Sequence, residues 1–228
     1  MKEILRAECA RLGLSLSEKQ LDQAEAFGEA MIQKNKVMNL TAITEPEAVA
    51  KLHFADCLAL LHAADFRNKS VIDVGCGAGF PGVPLKIGEP SVSLTLLDSL
   101  QKRIRWLSET LKAMELRADC IAARAEEYHG REKFDIAVSR AVARLNILCE
   151  LCMPFVKPGG LFIAMKASAA QEELQEAEHA VSVLGGKTEK VYDYEIDGAP
   201  RCAILIRKVR ATPPAYPRRF AKIKQSPL

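Results

Sequence analysis

Asp73, Gly75, Gly77, Gly79 and Gly82 fall within ten residues of one another, in types and at spacings suited to ligand chemistry. They lie in the run Val71-Ile72-Asp73-Val74-Gly75-Cys76-Gly77-Ala78-Gly79-Phe80-Pro81-Gly82. Its first four residues read as a short buried strand and the glycines as a turn. Pro81 suits the first turn of a helix, where its missing N–H costs nothing. Strand, glycine turn and helix start together make a cradle for a phosphate or a nucleoside. Glycine is required because the backbone must turn with φ > 0 and because a Cβ would hold the ligand off.

Two registers compete for this cradle. Gly77-x-Gly79-x-x-Gly82 fits the dinucleotide pattern, and implies an NAD-dependent oxidoreductase. Asp73-x-Gly75-x-Gly77-x-Gly79 resembles motif I of class I S-adenosylmethionine (SAM) methyltransferases. Asp73 favours SAM. A carboxylate ending the first strand repels a pyrophosphate and attracts a ligand carrying an ammonium and a sulfonium. Asp73 can instead cap the loop by accepting backbone N–H groups.

The elements around the cradle alternate. Residues 1–65 read as helices. Ser17 and Gln20 form a capping box, Leu21, Ala24, Phe27 and Met31 recur at helical spacing, and the helix fails near Asn35. Thr44 caps a further helix with Pro46 and Glu47 in its first turn. Beyond residue 65 come strands at 71–74, 92–97, 120–123, 134–138 and 161–165. A closing pair follows at 187–195 and 202–207. Helices at 101–114, 145–155 and 172–184 intervene. This predicts an α/β fold: a mostly parallel, Rossmann-like seven-stranded sheet with helices on both faces and a helical N-terminal extension. The division expected is 1–65 extension, 66–208 SAM-binding domain and 209–228 basic, proline-containing tail without regular structure.

In such a sheet the ligand lies beyond the carboxyl ends of the strands. Asp98 ends the second strand, where an acid accepts ribose hydroxyls. Ala125-Glu126 follows the third, where an adenine amino group would lie. Ser139-Arg140 follows the fourth, where the acceptor would meet the methyl group. The residues there argue by elimination. No Asn/Asp-Pro-Pro-aromatic loop follows the fourth strand, as amine methylation commonly uses. No cysteine sits in a loop after the fourth or fifth strand, as cytosine C5 chemistry needs. Ser139-Arg140-Ala141 offers no strong base. An acceptor with a free lone pair and no proton to lose, such as guanine N7, suits this wall.

Composition narrows the class. The 228 residues are 49% hydrophobic, enough for a large core. No apolar run reaches membrane length, and charges interrupt residues 1–19, so neither an anchor nor a signal peptide is expected. Seven cysteines at irregular spacing read as reduced thiols of a cytoplasmic protein, and Cys149-x-x-Cys152 reads as core rather than metal or redox site. From Arg207 to Leu228 there are seven Lys or Arg and no acid; removing those seven from the net +3 leaves −4 for residues 1–206. A basic terminus implies a polyanionic partner.

The chain resembles the bacterial RsmG (GidB) family over nearly its whole length. The resemblance rests on Asn39-Leu40-Thr41-Ala42-Ile43, His53-x-x-Asp56, the glycine motif with its Phe80-Pro81-Gly82 extension, and Leu97-Asp98-Ser99. It also rests on Ala125-Glu126, Ser139-Arg140-Ala141-Val142-Ala143, Pro158-Gly159-Gly160 and Tyr216-Pro217-Arg218…Pro227-Leu228. It implies transfer of a methyl group from SAM to N7 of a guanine in 16S rRNA, with no catalytic base and no metal. Gly75, Phe80, Ala125, Glu126 and Arg140 would line the SAM site and Asp98 would hold the ribose. Two residues depart from the family: Cys57 where serine is usual, and Ala167 where Lys166 is usually followed by glycine. Arg218, Arg219, Lys222 and Lys224 are the residues expected to meet rRNA phosphates, on 16S rRNA or the small subunit, from a monomer. His53 and Asp56 share a helix face and read as a hydrogen-bonded link between helix and domain. A non-catalytic rRNA-binding assembly factor and a methyltransferase of small metabolites remain as other readings.

Overall fold

The computed structural model describes residues 1–140, 143–166 and 170–228. Ala141, Val142 and Ala167, named above, lie outside them. The N-terminal helices are α1 (Lys2–Arg11), α2 (Glu18–Met38), α3 (Pro46–Val49), a π-helical turn (Ala50–Ala55), α4 (Asp56–Leu58) and α5 (Leu60–Ala63). Then come β1 (Ser70–Val74), α6 (Gly82–Gly88), β2 (Ser93–Asp98), α7 (Gln101–Ala113), β3 (Ala118–Ala122) and β4 (Phe134–Arg140). The chain ends with α8 (Leu145–Cys152), β5 (Val156–Lys166), α9 (Ala170–Val183), β6 (Gly186–Ile196), β7 (Ala199–Lys208) and α10 (Phe220–Gln225).

The seven strands order as β3-β2-β1-β4-β5-β7-β6. The first five pair in parallel, and β7 runs antiparallel to both β5 and β6. The chain order reverses between β1 and β4, which opens a crevice at their carboxyl ends. Two apolar layers flank the sheet. On one face Phe27, Phe54, Leu85 and Leu107 pack with Val71 and Ile136. On the other Leu148, Phe155 and Leu184 pack with Ile72 and Phe162. Each large side chain buried there contributes about 1.5–3 kcal/mol. The N-terminal helices share the first of these cores with the sheet, so their positions are tied to the strand ends.

The capping box is present: Ser17 Oγ accepts from the Gln20 N–H, and Gln20 Oε1 accepts from the Ser17 N–H at 2.8 Å. Both cysteines of the 149/152 pair are buried in core, as their spacing on α8 predicts.

Four local expectations need correction. First, α2 does not fail near Asn35 but runs to Met38 and stops at Asn39, whose φ of 49° is left-handed. Asn35 instead clamps the loop beyond. Its Oδ1 accepts from the N–H groups of Leu40 at 2.6 Å and Thr41 at 2.9 Å. Second, Glu45 rather than Thr44 occupies the cap of α3, without a side-chain hydrogen bond. Third, Ser139 and Arg140 belong to β4 itself, because Ser139 pairs in register with Ala164 and Arg140 with Met165. Fourth, the tail is not irregular throughout. It forms α10, and Ile223 is fully buried in the second core. An apolar residue three positions beyond Phe220 gives even this short basic segment a face to bury.

Candidate active site

A cavity of about 450 Å³ opens at the switch point. That volume suits a small organic ligand. One end is walled by the ends of β2 and β3: Asp98, Ser99, Leu100, Ala125 and Glu126. The other is walled by the N-terminal segment, the loop after β1 and the end of β4: Leu40, Thr41, His53, Phe80 and Arg140. The glycine loop with Gly75, Cys76 and Gly77 forms the wall between them.

Asp98 is held from both sides. Its Oδ2 accepts from the Gly77 N–H at 2.9 Å and its Oδ1 from the Leu100 N–H at 2.8 Å. A carboxylate has about four acceptor positions, so two remain for ligand hydroxyls. A Cβ on Gly77 would meet nothing nearer than the Gly75 carbonyl at 4.0 Å. The space beside Gly77 is the cleft itself. The residues present fit the nucleoside end of SAM: a fixed carboxylate with open acceptor positions, a bare backbone beside it, and Glu126 in the lining.

Two expected ligand residues lie elsewhere. Asp73 is fully buried and outside the cleft wall. Its Oδ2 accepts from the Gly82 N–H at 2.7 Å, the first free donor of α6, and a Cβ on Gly82 would strike the Asp73 side chain at 2.9 Å. Asp73 thus fastens the helix to the strand rather than attracting the ligand's charge. Its Oδ1 has no partner among the described residues, and burial raises its carboxyl pKa to about 7 against the opposing pull of the Gly82 N–H. Gly79 also turns away from the cleft. A Cβ there would come within 2.9 Å of Leu107 and Val83, and its φ is +97°.

Phe80 serves core and cleft at once. It is 4% exposed, lies against Phe27 and Phe54, and presents a face to the cavity. His53 stacks on it with centroids 4.6 Å apart, and the Arg140 guanidinium lies 5.1 Å from its centroid. Arg140 is the hub of this end. It donates to the Leu52 carbonyl at 3.1 Å, to Asp56 Oδ2 at 3.2 Å and to His53 Nδ1 at 2.9 Å. Asp56 Oδ1 accepts from the Tyr194 hydroxyl at 2.9 Å. The helix-to-domain link expected of His53 and Asp56 is thus made through Arg140. Burial, reinforced by Arg140, lowers the His53 pKa to about 3, so the ring is neutral at working pH. Burial raises the Asp56 carboxyl although Arg140 and Tyr194 oppose it.

Sequence reasoning missed Leu40, Thr41, Ser99, Leu100, Arg103 and Phe220 as cleft residues. Leu40 and Thr41 carried a signal, since they belong to a motif of the resemblance, but nothing in their spacing points at the sheet. Phe220 carried none, because only the docking of α10 brings it to the cavity.

The family model described as rRNA small subunit methyltransferase G (GidB) matches residues 20–197. The chain belongs to this family. The chain is 47% identical to the ribosomal RNA small subunit methyltransferase G of Bacillus cytotoxicus over 95% of its own length and 94% of the relative's. It is 45% identical to that of Lachnoclostridium phytofermentans, covering 95% and 93%. Solved structures share the fold. A SAM-dependent methyltransferase from Aquifex aeolicus superposes with a TM-score of 0.56 at 14% identity, covering 77% of this chain and 97% of the other. An N1-methyltransferase from Burkholderia thailandensis, solved with S-adenosylhomocysteine, gives 0.57 at 14% identity, covering 80% and 89%. This chain is therefore a class I, SAM-dependent methyltransferase, and the dinucleotide register does not describe its cofactor.

The basic residues of the tail divide into two groups. Arg218 is committed to a partner within the protein. It grips the fully buried Glu150, with Nε–Oε1 at 2.8 Å and Nη2–Oε2 at 2.6 Å. Lys208 is likewise buried, donating to the Met153 carbonyl at 2.6 Å. A buried carboxylate on α8 demands a partner, and Arg218 supplies it. Arg219, Lys222 and Lys224 are exposed and make no ion pair among the described residues. Arg218→Ala is expected to cost about 3–5 kcal/mol in urea unfolding by stranding Glu150. A loss no larger than that of Lys224→Ala would contradict the assignment.

No helix among the described residues is long and apolar enough to cross a membrane. No group of three or more His, Cys, Asp or Glu among them is placed to hold a metal ion.

Proposed function

We propose that this protein methylates N7 of a guanine in 16S rRNA, as a monomer in the cytoplasm and without a resident metal. What carries the reading is that no free base lines the acceptor end of the cleft among the described residues. His53 spends Nδ1 on Arg140, and Asp56 spends both oxygens on Arg140 and Tyr194. Cys76 is the thiol in the wall, and burial raises it well above the usual range, so it is no nucleophile. Such a wall cannot take a proton and suits an acceptor atom that has none to lose. When bound, SAM would supply an already activated methyl group to an acceptor lone pair, so that no proton need be removed.

The chain's own residues align the partners and exclude water. Asp98 holds the ribose, Ala125 and Glu126 face the adenine, and the loop from Gly75 to Gly77 offers its backbone to the ligand. Arg140 has five N–H donors, uses three inside the protein and lines the cleft, so it has donors to spare for a carboxylate or a base. Arg219, Lys222 and Lys224 meet rRNA phosphates beside Phe220 at the cleft. Replacing these three by glutamine is expected to reduce the steepness of log K against log salt by roughly 0.7–0.9 for each phosphate no longer neutralised. An unchanged slope would remove the tail from the interface.

The decisive experiment uses radiolabelled SAM and small subunits from cells lacking the enzyme, followed by nucleoside separation. Label in N7-methylguanosine is expected. Label in another nucleoside would overturn the acceptor atom. SAM binding without label would favour a non-catalytic assembly factor.

A further inference from the structure

The Thr41 hydroxyl has its direction imposed by its neighbours. A guanidinium has donors only, so His53 Nδ1 must accept from Arg140 at 2.9 Å. The neutral ring then carries its proton on Nε2, which lies 2.9 Å from Thr41 Oγ1 and donates to it. The Ile43 N–H donates to the same oxygen at 3.0 Å. Both lone pairs of the hydroxyl are therefore taken. Its hydrogen has no acceptor among the described residues, and Thr41 lines the cleft beside His53, Phe80 and Arg140. Asn35 fixes the backbone on both sides, accepting from the Thr41 N–H and donating to the Thr41 carbonyl, each at 2.9 Å. Thr41 thus presents a preorganised group that donates and cannot accept.

On the reading of an N7 acceptor, this property distinguishes purines. Guanine carries the O6 acceptor next to N7, whereas adenine carries an N6 amino donor in that place. A hydroxyl free to rotate would tolerate both bases. One whose lone pairs are filled accommodates O6 and leaves an adenine amino group unpaired. We infer that the Thr41 hydroxyl donates to O6 of the target guanine and makes the site selective for guanine, with His53 as the positioning residue that sets its direction.

The test compares wild type, Thr41→Ser and Thr41→Val on reconstituted small subunits. These carry guanine, or 2-aminopurine, which keeps N7 and lacks O6, at the nucleotide that wild type methylates. Thr41→Val is expected to lower kcat/KM on guanine by about tenfold to a hundredfold, with the SAM dissociation constant unchanged in calorimetry. Thr41→Ser should restore it. Wild type should lose a similar factor on 2-aminopurine, and Thr41→Val should lose nothing more there. Multiplying losses, weakened SAM binding or an unaffected Thr41→Val would each overturn the inference while leaving the proposed reaction intact. Wild-type label outside N7-methylguanosine would overturn both.

Discussion

Arg140→Met is expected to destabilise the protein by about 3–5 kcal/mol and to abolish methyl transfer. The magnitude reflects the groups that the substitution leaves behind. Asp56, 6% exposed, loses its charged partner, and only the Tyr194 hydroxyl and a distant Arg201 at 3.9 Å remain to it. His53 Nδ1 and the Leu52 carbonyl lose their donor. An unpaired buried carboxylate costs far more than the lost hydrogen bonds alone. Urea unfolding of Arg140→Met, Asp56→Asn and the double variant separates these terms. The double variant should be more stable than the sum of the single losses predicts, because removing the Asp56 charge removes the largest penalty. Additive losses within about 0.5 kcal/mol would show that the two side chains do not act as a pair.

The glycine loop should respond to substitution in opposite ways at two neighbouring glycines. Gly77→Val is expected to abolish SAM binding in calorimetry while the protein still folds. Its Cβ enters open space, so the added methyl groups fill the ligand's cradle. The left-handed backbone at φ +55° adds a cost of roughly 1–2 kcal/mol. Gly79→Ala should do the reverse. Its Cβ collides with Val83, Leu107 and Phe27 beneath the loop, so stability falls by about 1–3 kcal/mol while the cleft keeps its lining. If Gly77→Val bound SAM normally, the ligand would not lie against this part of the loop. If both variants only unfolded, the division of labour between the glycines would be wrong.

Much of the architecture was legible without coordinates. The alternation of apolar runs and helical patterns specifies seven strands, because a buried parallel strand needs a continuous apolar run and a covering helix needs an apolar stripe. Residues at strand ends were legible for the same reason. Asp98, Ala125 and Glu126 reach the cleft because chain order alone places them at or just beyond the carboxyl ends of β2 and β3. Ser17 and Gln20 cap α2 through contacts three residues apart, which a linear pattern contains in full.

Where the answer depends on which face a side chain takes, or on what a distant segment brings, only the tertiary structure decided. Asp73 and Gly79 share the motif with Gly75 and Gly77, yet they point into the packing beneath the loop rather than at the cleft. Arg218 looks like Arg219 in the chain, but Glu150, 68 residues away, claims it. Thr41 gains a fixed donor direction only through His53 and then Arg140, a relay spanning three separate elements. Composition and spacing state which groups are available. The desolvation cost of a buried charge or an unfilled hydrogen bond assigns each to its partner, and that cost exists only once the chain is folded.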